Sequence, residues 1–387
     1  MKFLHTADWH VGKTIRGRSR ADEHQAVLDE IVGIADTEQV GLVIMAGDLF
    51  DIATPPPEAE RIAYRALLAL SDGGQRPVVV VSGNHDNARR LEALAPVFAG
   101  FGVHLVDKVE RPADGGVLSL DVAGTPVRIA LLPFVSQRGI VGVDQLMAQD
   151  QGDHALAYAD RLRRITEALA AGFAADAVNL VVAHAMVAGG VLGGGERSAH
   201  TIFEYAVPAT AFPVGAHYVA LGHLHRTQRI DGPCPIWYPG SPLQMDFGEQ
   251  QDRKHVLVVE AAPGIPAVVR EVPLRAGRRF RTLRGTLADL RDEQGADAEA
   301  FVRVIVREQG RVGLVDEVRD LFPDAVEIRL EAPDALRPGP TAPTDAREPA
   351  QLFADYLAAK DIDDPRLRAL FGELYDEAMT VEVGDAT

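Results

Sequence analysis

The sequence predicts an α/β fold in which a central sheet carries helices on its faces. Residues 41–46 and 77–82 are short continuous apolar runs, typical of strands buried on both faces. Residues 58–70, between them, place apolar side chains at helical spacing. Polar residues of metal-binding type follow several apolar runs, and ligands collect beyond the carboxyl ends of strands in such sheets.

The remaining elements of this domain follow from the same patterns. Residues 1–7 are predicted as a buried strand, and a helix is predicted after Asp22 with Val27, Leu28, Ile31 and Ile34 on one face. Further strands are predicted at 127–132, 179–183, 218–221 and 254–260. The sheet-centred domain is therefore expected to span residues 1–272.

The composition changes near Pro273. Residues 273–336 begin with an arginine-rich stretch and then give a helix–strand–helix–strand pattern, which predicts a small α+β domain with strands near 301–306 and 326–330. Residues 337–347 form a Pro-rich linker. Residues 348–387 are predicted to form a helix pair.

Each helix of this pair has one apolar face. The faces comprise Leu352, Phe353, Tyr356 and Leu357 on the first helix, and Leu367, Leu370, Phe371, Leu374 and Tyr375 on the second. A pair of this size cannot bury both faces alone. From the residues themselves, folding back on the chain and docking on a partner remain equal alternatives.

Length and composition limit the classes of protein to which the chain can belong. The chain has 387 residues, 47% hydrophobic and 25% charged, which predicts two or three globular domains. Its one cysteine, Cys234, excludes an internal disulfide. No apolar run approaches the ~20 residues of a membrane helix, so a cytoplasmic location is expected. The net charge of −17 argues against binding nucleic acid by surface electrostatics alone.

Five short polar segments follow or end apolar runs. They are Asp8-Trp9-His10, Gly47-Asp48-Leu49-Phe50-Asp51, Gly83-Asn84-His85-Asp86, His184, and Gly222-His223-Leu224-His225. Aspartate, asparagine and histidine bind divalent ions while leaving positions open for water and phosphate. Two ions ~3.5–4 Å apart need a shared carboxylate, and Asp48 is the candidate.

The other segments supply the remaining ligands. Asp8 and His10 point to the same side of an extended segment and can close on one ion. The further ligand candidates are Asn84, His184, His223 and His225. His85 is predicted to face the substrate, where it can stabilise charge or protonate a leaving oxygen, and Asp86 is predicted to orient it.

Structural alternatives exist for each segment alone. A single histidine such as His184 on an apolar run is more often structural than a ligand. Gly-Asp pairs after strands are common in turns. Asp51 could cap the next segment or make a hydrogen bond behind the ligands as readily as it could contact a metal. The occurrence of all five segments in this order, each at a strand end, favours the metal site.

The ordered set D-x-H, G-D-x-x-D, G-N-H-D, H and G-H-x-H resembles the calcineurin-like metallophosphoesterases. More narrowly, residues 5–13 are similar to the opening of the SbcD family of nuclease subunits. Residues 17–20 followed by Glu23-His24, residues 220–226, residues 238–243 and residues 352–357 are also similar to that family.

The resemblance implies a fold, a reaction and ligand sets. The fold is a sheet sandwich with helices on its outer faces, followed by a capping domain formed by residues 273–336. The helix pair at 348–387 docks on the coiled coil of an SbcC-like ATPase. One ion is implied at Asp8, His10, Asp48 and His225, and a second at Asp48, Asn84, His184 and His223. His85 is implied as the catalytic histidine, and Mn²⁺ as the usual metal, with Mg²⁺ as the alternative.

The implied substrate is DNA, cleaved at double-stranded ends and within single strands or hairpins, by a homodimer in a heterotetramer. The DNA contacts predicted are Lys13, Arg16, Arg18 and Arg20, although the alternative for this row is a solvated loop. The predicted ATPase contacts are Leu352, Phe353, Tyr356, Leu357, Leu370, Phe371 and Leu374. Apolar helix faces near Val27 and Leu91 permit a dimer.

Several features leave alternatives open. The metal segments alone fit a phosphatase or a small phosphodiesterase equally well, and a DNA-end scaffold for the ATPase is a third alternative. The sequence contains no G-x-x-x-x-G-K-[ST] loop, so an ATP-driven step would need another chain. Residues 189–197, which include three consecutive glycines, are predicted to form a flexible loop over the site.

Overall fold

The computed structural model describes residues 1–136, 151–196, 206–295, 300–331, 353–354, 356–358 and 364–371. The chain divides into two compact units, Met1–Glu331 and Ala332–Thr387.

The strands of the first unit are β1 (Lys2–Thr6), β2 (Thr14–Ile15), β3 (Arg18–Ser19), β4 (Leu42–Met45), β5 (Val78–Val81), β6 (Val103–Val106), β7 (Val117–Val122), β8 (Thr125–Leu132), β9 (Val178–His184), β10 (Tyr218–Gly222), β11 (Gln228–Ile230), β12 (Ile236–Tyr238), β13 (His255–Ala262), β14 (Ile265–Pro273), β15 (Phe280–Gly285), β16 (Phe301–Val306) and β17 (Glu327–Leu330). Its helices are α1 (Ala21–Thr37), α2 (Pro57–Leu70), α3 (Ala88–Ala99), α4 (Gln151–Ala170), α5 (Leu287–Asp292) and α6 (Leu314–Leu321).

Two mixed sheets form the larger part of this unit. The first has the order β14-β13-β1-β4-β5-β6, in which β1, β4, β5 and β6 are parallel. The second has the order β11-β12-β10-β9-β8-β7, with β12, β10, β9 and β8 parallel. In both sheets the central strands are continuous apolar runs, as expected for strands that are covered on both faces.

The sheets pack face to face. Ile44 and Val79 of the first sheet and Leu180 and Tyr218 of the second belong to one cluster of fully buried side chains. Helices α1 to α3 cover the outer face of the first sheet, and α4 covers the second through Leu162 and neighbouring side chains. The predicted sandwich with helices on its outer faces is confirmed.

A three-stranded parallel sheet, β15-β16-β17, forms a smaller layer with α5 and α6 around its own buried cluster. The sequence pattern missed β15, because its arginines alternate with few apolar residues. A second cluster joins this layer to the β2–β3 hairpin and to the turn Phe247–Glu249. The predicted boundary at residue 273 coincides with the end of β14. The separate capping domain stays a prediction.

In the second unit, residues 365–371 are helical, and helical turns occur at 353–354 and 356–358. The rings of Phe353 and Phe371 stack with their centroids 4.2 Å apart. Leu352, Leu374 and the predicted linker 337–347 lie outside the described residues. None of the helices that the structure describes is both long and apolar enough to cross a membrane.

The sandwich interior should dominate the stability of the larger unit. We expect Leu180→Ala to lower the free energy of unfolding by about 2–5 kcal/mol, because it opens a cavity between the two sheets. Leu330→Ala, on the half-exposed end of β17, should change it by no more than about 0.5 kcal/mol. Urea denaturation of the metal-free protein measures both, and equal effects would contradict this account of the core.

Candidate metal centre

The predicted site residues converge where the two sheets meet. Each lies at or just beyond the carboxyl end of a parallel strand. Asp8 and His10 follow β1, Asp48 follows β4, Asn84 and His85 follow β5, His184 ends β9, and His223 and His225 follow β10. Because β1, β4 and β5 belong to the first sheet and β9 and β10 to the second, neither sheet alone completes the site.

The loops that carry these residues have constrained backbones. Asp8, His10 and Asp48 have φ of 52°, 46° and 55°, in the left-handed region that non-glycine residues rarely adopt. Asp8 N donates to Gly47 O (2.9 Å) and His10 N donates to Asp48 O (3.0 Å), so the first two loops hold each other in place. A Cβ on Gly47, which has φ of 93°, would lie 2.2 Å from His184 Nδ1. A glycine is therefore required there for His184 to approach.

The carboxylate of Asp48 lies at the centre. Its Oδ2 is 3.6 Å from His10 Nε2 and 3.5 Å from His184 Nε2, while its Oδ1 accepts from His85 N (2.9 Å). One oxygen thus faces imidazoles on two sides. This is the position that a carboxylate bridging two cations occupies.

On one side of Asp48, Asp8 and His10 meet His225. Ligand atoms of these three buried residues lie within 4.8 Å of one another. His10 Nε2 and His225 Nε2 are 3.1 Å apart. His225 Nδ1 faces the Glu249 carboxylate, so in the neutral ring Nε2 carries the lone pair.

On the other side, Asn84 meets two imidazoles. Its Oδ1 lies 2.9 Å from His184 Nε2 and 2.9 Å from His223 Nδ1. His184 Nδ1 donates to Ala46 O (2.8 Å), which leaves Nε2 of the neutral ring as an acceptor facing another acceptor. Converging acceptors on both sides of Asp48 fit a pair of divalent cations.

Burial and mutual charge set the protonation of the ligands. Burial lowers the pKa of His10 to about 4, so its imidazole is neutral, which is the ligating form. Burial raises the pKa of Asp8 to about 7, although His184 and His225 oppose this. Burial also acts to raise the pKa of Asp48, but His184 and His10 outweigh it and hold this pKa well below its usual range.

His85 lies beside His10, with the two rings edge to face and their centroids 4.7 Å apart. Its Nδ1 is 2.7 Å from the backbone oxygen of Asp51. The prediction that the Asp86 carboxylate orients His85 is not what the structure shows. Asp86 instead accepts from the backbone N–H groups of Gly83, Leu49 and Phe50 and ties the second and third loops together.

The row of predicted DNA contacts separates into two groups. Lys13 lies 3.1 Å from Asp51 beside the site, and Arg16 and Arg18 reach Glu327 and Asp324 of the small layer at 3.2 and 3.9 Å. Because these three side chains are partly exposed, they stay candidates for phosphate contact.

Arg20 does not belong with them. It is buried, donates to Gln244 O and to the Glu23 carboxylate, and packs over the rings of Phe280 and Phe301. Since it has no free surface for a phosphate, the prediction that Arg20 contacts DNA is wrong. Its role is to join α1 to the small layer.

The glycine-rich segment makes a specific contact with the site. Glu196 accepts from the backbone N–H groups of Gly193 and Gly194, and its Oε1 also accepts from His225 N (3.0 Å). Arg197, the last residue of the predicted loop, lies outside the described residues. The segment 193–196 is therefore fastened to the strand end that carries His225.

The sequence did not reveal Glu249 and Lys254, which pair behind His225 at 2.6 Å. Burial tends to raise the pKa of Glu249, but Lys254 and His225 outweigh it and lower this pKa to about 2. No motif marks either residue, because both follow the last segment by more than twenty positions. The one signal in the sequence was a lysine, Lys254, at the start of the strand predicted at 254–260.

Comparison with known proteins is consistent with this geometry. The calcineurin-like phosphoesterase family matches residues 1–227. The chain is 36% identical over 344 residues to the SbcD subunit of the nuclease SbcCD from Bacillus subtilis, covering 85% of each chain. It is 32% identical to the protein of the same name from Rhodobacter capsulatus, covering 92% of this chain and 94% of the relative. It is 31% identical to the protein of the same name from Escherichia coli K12, covering 75% of this chain and 72% of the relative.

The chain belongs to the SbcD family of calcineurin-like phosphoesterases. It is accordingly a metal-dependent phosphoesterase, and the Asp, Asn and His cluster is its candidate metal centre. The SbcD resemblance based on residues 5–13 and the other quoted stretches is confirmed.

The tightest backbone approach in the site involves Gly222 of β10. A Cβ there would lie 1.8 Å from the backbone oxygen of Ala46. We expect Gly222→Ala to force the sheets apart, lowering stability and weakening the binding of divalent cations, for which Mn²⁺ is the probe. Gly33→Ala, the same change inside α1 with nothing within 4 Å, should stabilise by about 0.5–1 kcal/mol. Denaturation and calorimetric Mn²⁺ titration test both, and unchanged Mn²⁺ affinity in Gly222→Ala would contradict the expected coupling.

Metal affinity should depend on pH. Burial tends to lower the pKa of His184, but Asp48 and Asp8 outweigh it and raise this pKa to about 9. At pH 7 the metal-free protein therefore carries a proton that a cation must displace. We expect the affinity for divalent cations, measured with Mn²⁺ as the probe, to rise by up to about tenfold per pH unit between pH 7 and 8.5. Titrations in two buffers of different ionisation enthalpy should show proton release, and identical enthalpies would contradict this.

Proposed function

We propose that this protein is a Mn²⁺-dependent DNA nuclease that hydrolyses phosphodiesters with two metal ions. The observation that best supports this is the position of Asp48 Oδ2, within 3.6 Å of imidazoles on both of its sides. The first ion would be held by Asp8, His10, Asp48 and His225, and the second by Asp48, Asn84, His184 and His223. Mg²⁺ is the alternative metal for this oxygen and nitrogen donor set.

When bound, the ions would neutralise phosphate charge and make water more acidic. The protein's own groups supply the rest of the chemistry. The Asp51 carbonyl accepts from His85 Nδ1 and so holds the ring in place. In the proposed reaction His85 gives a proton from Nε2 to the leaving oxygen. The Asp86 carboxylate keeps the loop of His85 in register with the loop of Asp48.

We further propose DNA as the substrate, because the three relatives compared above all carry the name of a nuclease subunit. The activities proposed are exonuclease on double-stranded ends and endonuclease on single strands or hairpins, in DNA repair, recombination and replication. Lys13, Arg16 and Arg18 are proposed phosphate contacts, since each could exchange its present carboxylate partner for a phosphate.

The proposed partner is an SbcC-like ATPase with a coiled coil, bound by the helix pair near the carboxyl terminus. Tyr356 and Leu370 expose about half of their surface, and Phe353 stacks on Phe371. Such a face suits a helical partner. A homodimer within a heterotetramer, located in the cytoplasm and on the nucleoid, is the assembly that we propose.

His85→Ala tests this function. We expect Mn²⁺-dependent cleavage of end-labelled duplex DNA and of a DNA hairpin by the purified protein, reduced about 10²–10⁴-fold in the variant, because the leaving oxygen loses its proton donor. His104→Ala, on β6 away from the site, is the matched control and should cleave normally.

Two results would contradict the proposal. Rapid hydrolysis of an aryl phosphate monoester with DNA left intact would indicate a phosphatase. DNA binding without hydrolysis of any substrate in Mn²⁺ would indicate a scaffold for the ATPase.

A further inference from the structure

A buried ion pair lies behind His225, on the side of the ring away from His10. Glu249 is fully buried, and its Oε2 accepts from Lys254 Nζ at 2.6 Å. Its other oxygen, Oε1, lies 3.1 Å from His225 Nδ1. The pair therefore contacts the ring through Nδ1, while Nε2 faces His10 Nε2 at 3.1 Å.

The backbone of His225 is held by the same group of residues. Lys254 Nζ donates to His225 O (3.0 Å), and His225 N donates to Glu196 Oε1 (3.0 Å). The ring, the backbone carbonyl and the backbone amide of His225 are therefore each held by a charged side chain. His225 therefore has little freedom to rotate or shift.

The pair is completely satisfied, as a buried pair must be to persist. Glu249 Oε2 also accepts from Met245 N (3.0 Å), and Lys254 Nζ also donates to Ser241 Oγ (3.0 Å). Gly195 closes the space above, because a Cβ there would lie 2.4 Å from Glu249 Oε1 and 2.8 Å from His225 Nδ1.

Stability alone does not account for this arrangement. Apolar side chains of similar volume often replace a buried ion pair at no cost in stability. The specific feature is that one carboxylate oxygen is directed at Nδ1 of an imidazole whose Nε2 points into the metal centre. Carboxylates in this position fix the tautomer and orientation of ligating histidines.

We propose that Glu249 is a positioning residue for His225, with Lys254 balancing its charge and anchoring the histidine backbone. Glu249 holds the proton on Nδ1 and leaves Nε2 to bind the ion. The proposal rests on the assignment of His225 as a ligand under the proposed function.

Mn²⁺ titration calorimetry on the metal-free full chain tests the proposal without measuring catalysis. We expect the double variant Glu249→Met with Lys254→Met, which removes both charges together, to bind one of two ions about 10–100-fold more weakly. Glu249→Gln with Lys254→Met keeps an acceptor at the same place and should restore most of the affinity. A purely structural pair would not distinguish Met from Gln in this way.

Glu249→Asp provides a second test that leaves Lys254 in place. It retains the charge beside Lys254 but withdraws the carboxylate from His225 by one methylene. The affinity for one of the two ions should therefore fall in this variant also. The control is Asp36→Leu with Arg76→Met, an ion pair remote from the site, which should bind both ions normally.

The outcomes distinguish the positioning role of Glu249 from the assignment of His225 as a ligand. If Glu249→Asp and the methionine double variant both bind two ions with wild-type affinity, the positioning role is overturned while the ligand assignment stands. If His225→Ala itself binds both ions normally, the ligand assignment fails and the positioning role fails with it.

Discussion

The metal centre depends on the carboxylate of Asp48 being buried between two imidazoles. A buried carboxylate is costly unless it is paired and hydrogen-bonded, and here His10, His184 and the amide of His85 provide those interactions. The same crowding excludes side chains nearby. A Cβ on Gly83 would lie 2.1 Å from Asp48 Oδ1. The glycine at position 83 is therefore a consequence of how closely its loop approaches this one group.

The position of Asp48 also explains why the fold needs two sheets. Asp8, Asp48 and Asn84 follow strands of the first sheet, whereas His184, His223 and His225 end or follow strands of the second. Direct contacts cross the gap, since His223 N donates to Asp8 Oδ1 at 2.9 Å and His184 Nδ1 donates to Ala46 O at 2.8 Å. Like-charged and acceptor groups do not gather by their own attraction. The apolar interior between the sheets supplies the free energy that brings them together.

How well the sequence predicted each feature depended on how local its cause was. The strands that the sequence predicted in the two large sheets, the helix predicted at 58–70 and the strand-end placement of the five segments follow from short patterns, and the structure has them. The prediction that Arg20 contacts DNA failed because its partners, Phe280 and Phe301, are more than 250 positions away in the sequence. The contacts of Asp86 were missed for a related reason, because its acceptor role depends on the neighbouring loop. Glu249 carries no local signal at all.

The distribution of charge bears on how an acidic chain can hold a nucleic acid. Arginines of the small layer are largely engaged with carboxylates of that layer, as Arg281 is with Glu293 and Arg284 with Glu331. Exposed pairs of this kind are weak, so a phosphate can compete for them. The carboxylates of the metal centre itself, Asp8 and Asp48, are buried, and their charge would repel a phosphate bound beside them. In the proposed two-metal mechanism the cations would overcome this repulsion, so the ions that support the chemistry would also make substrate binding possible there.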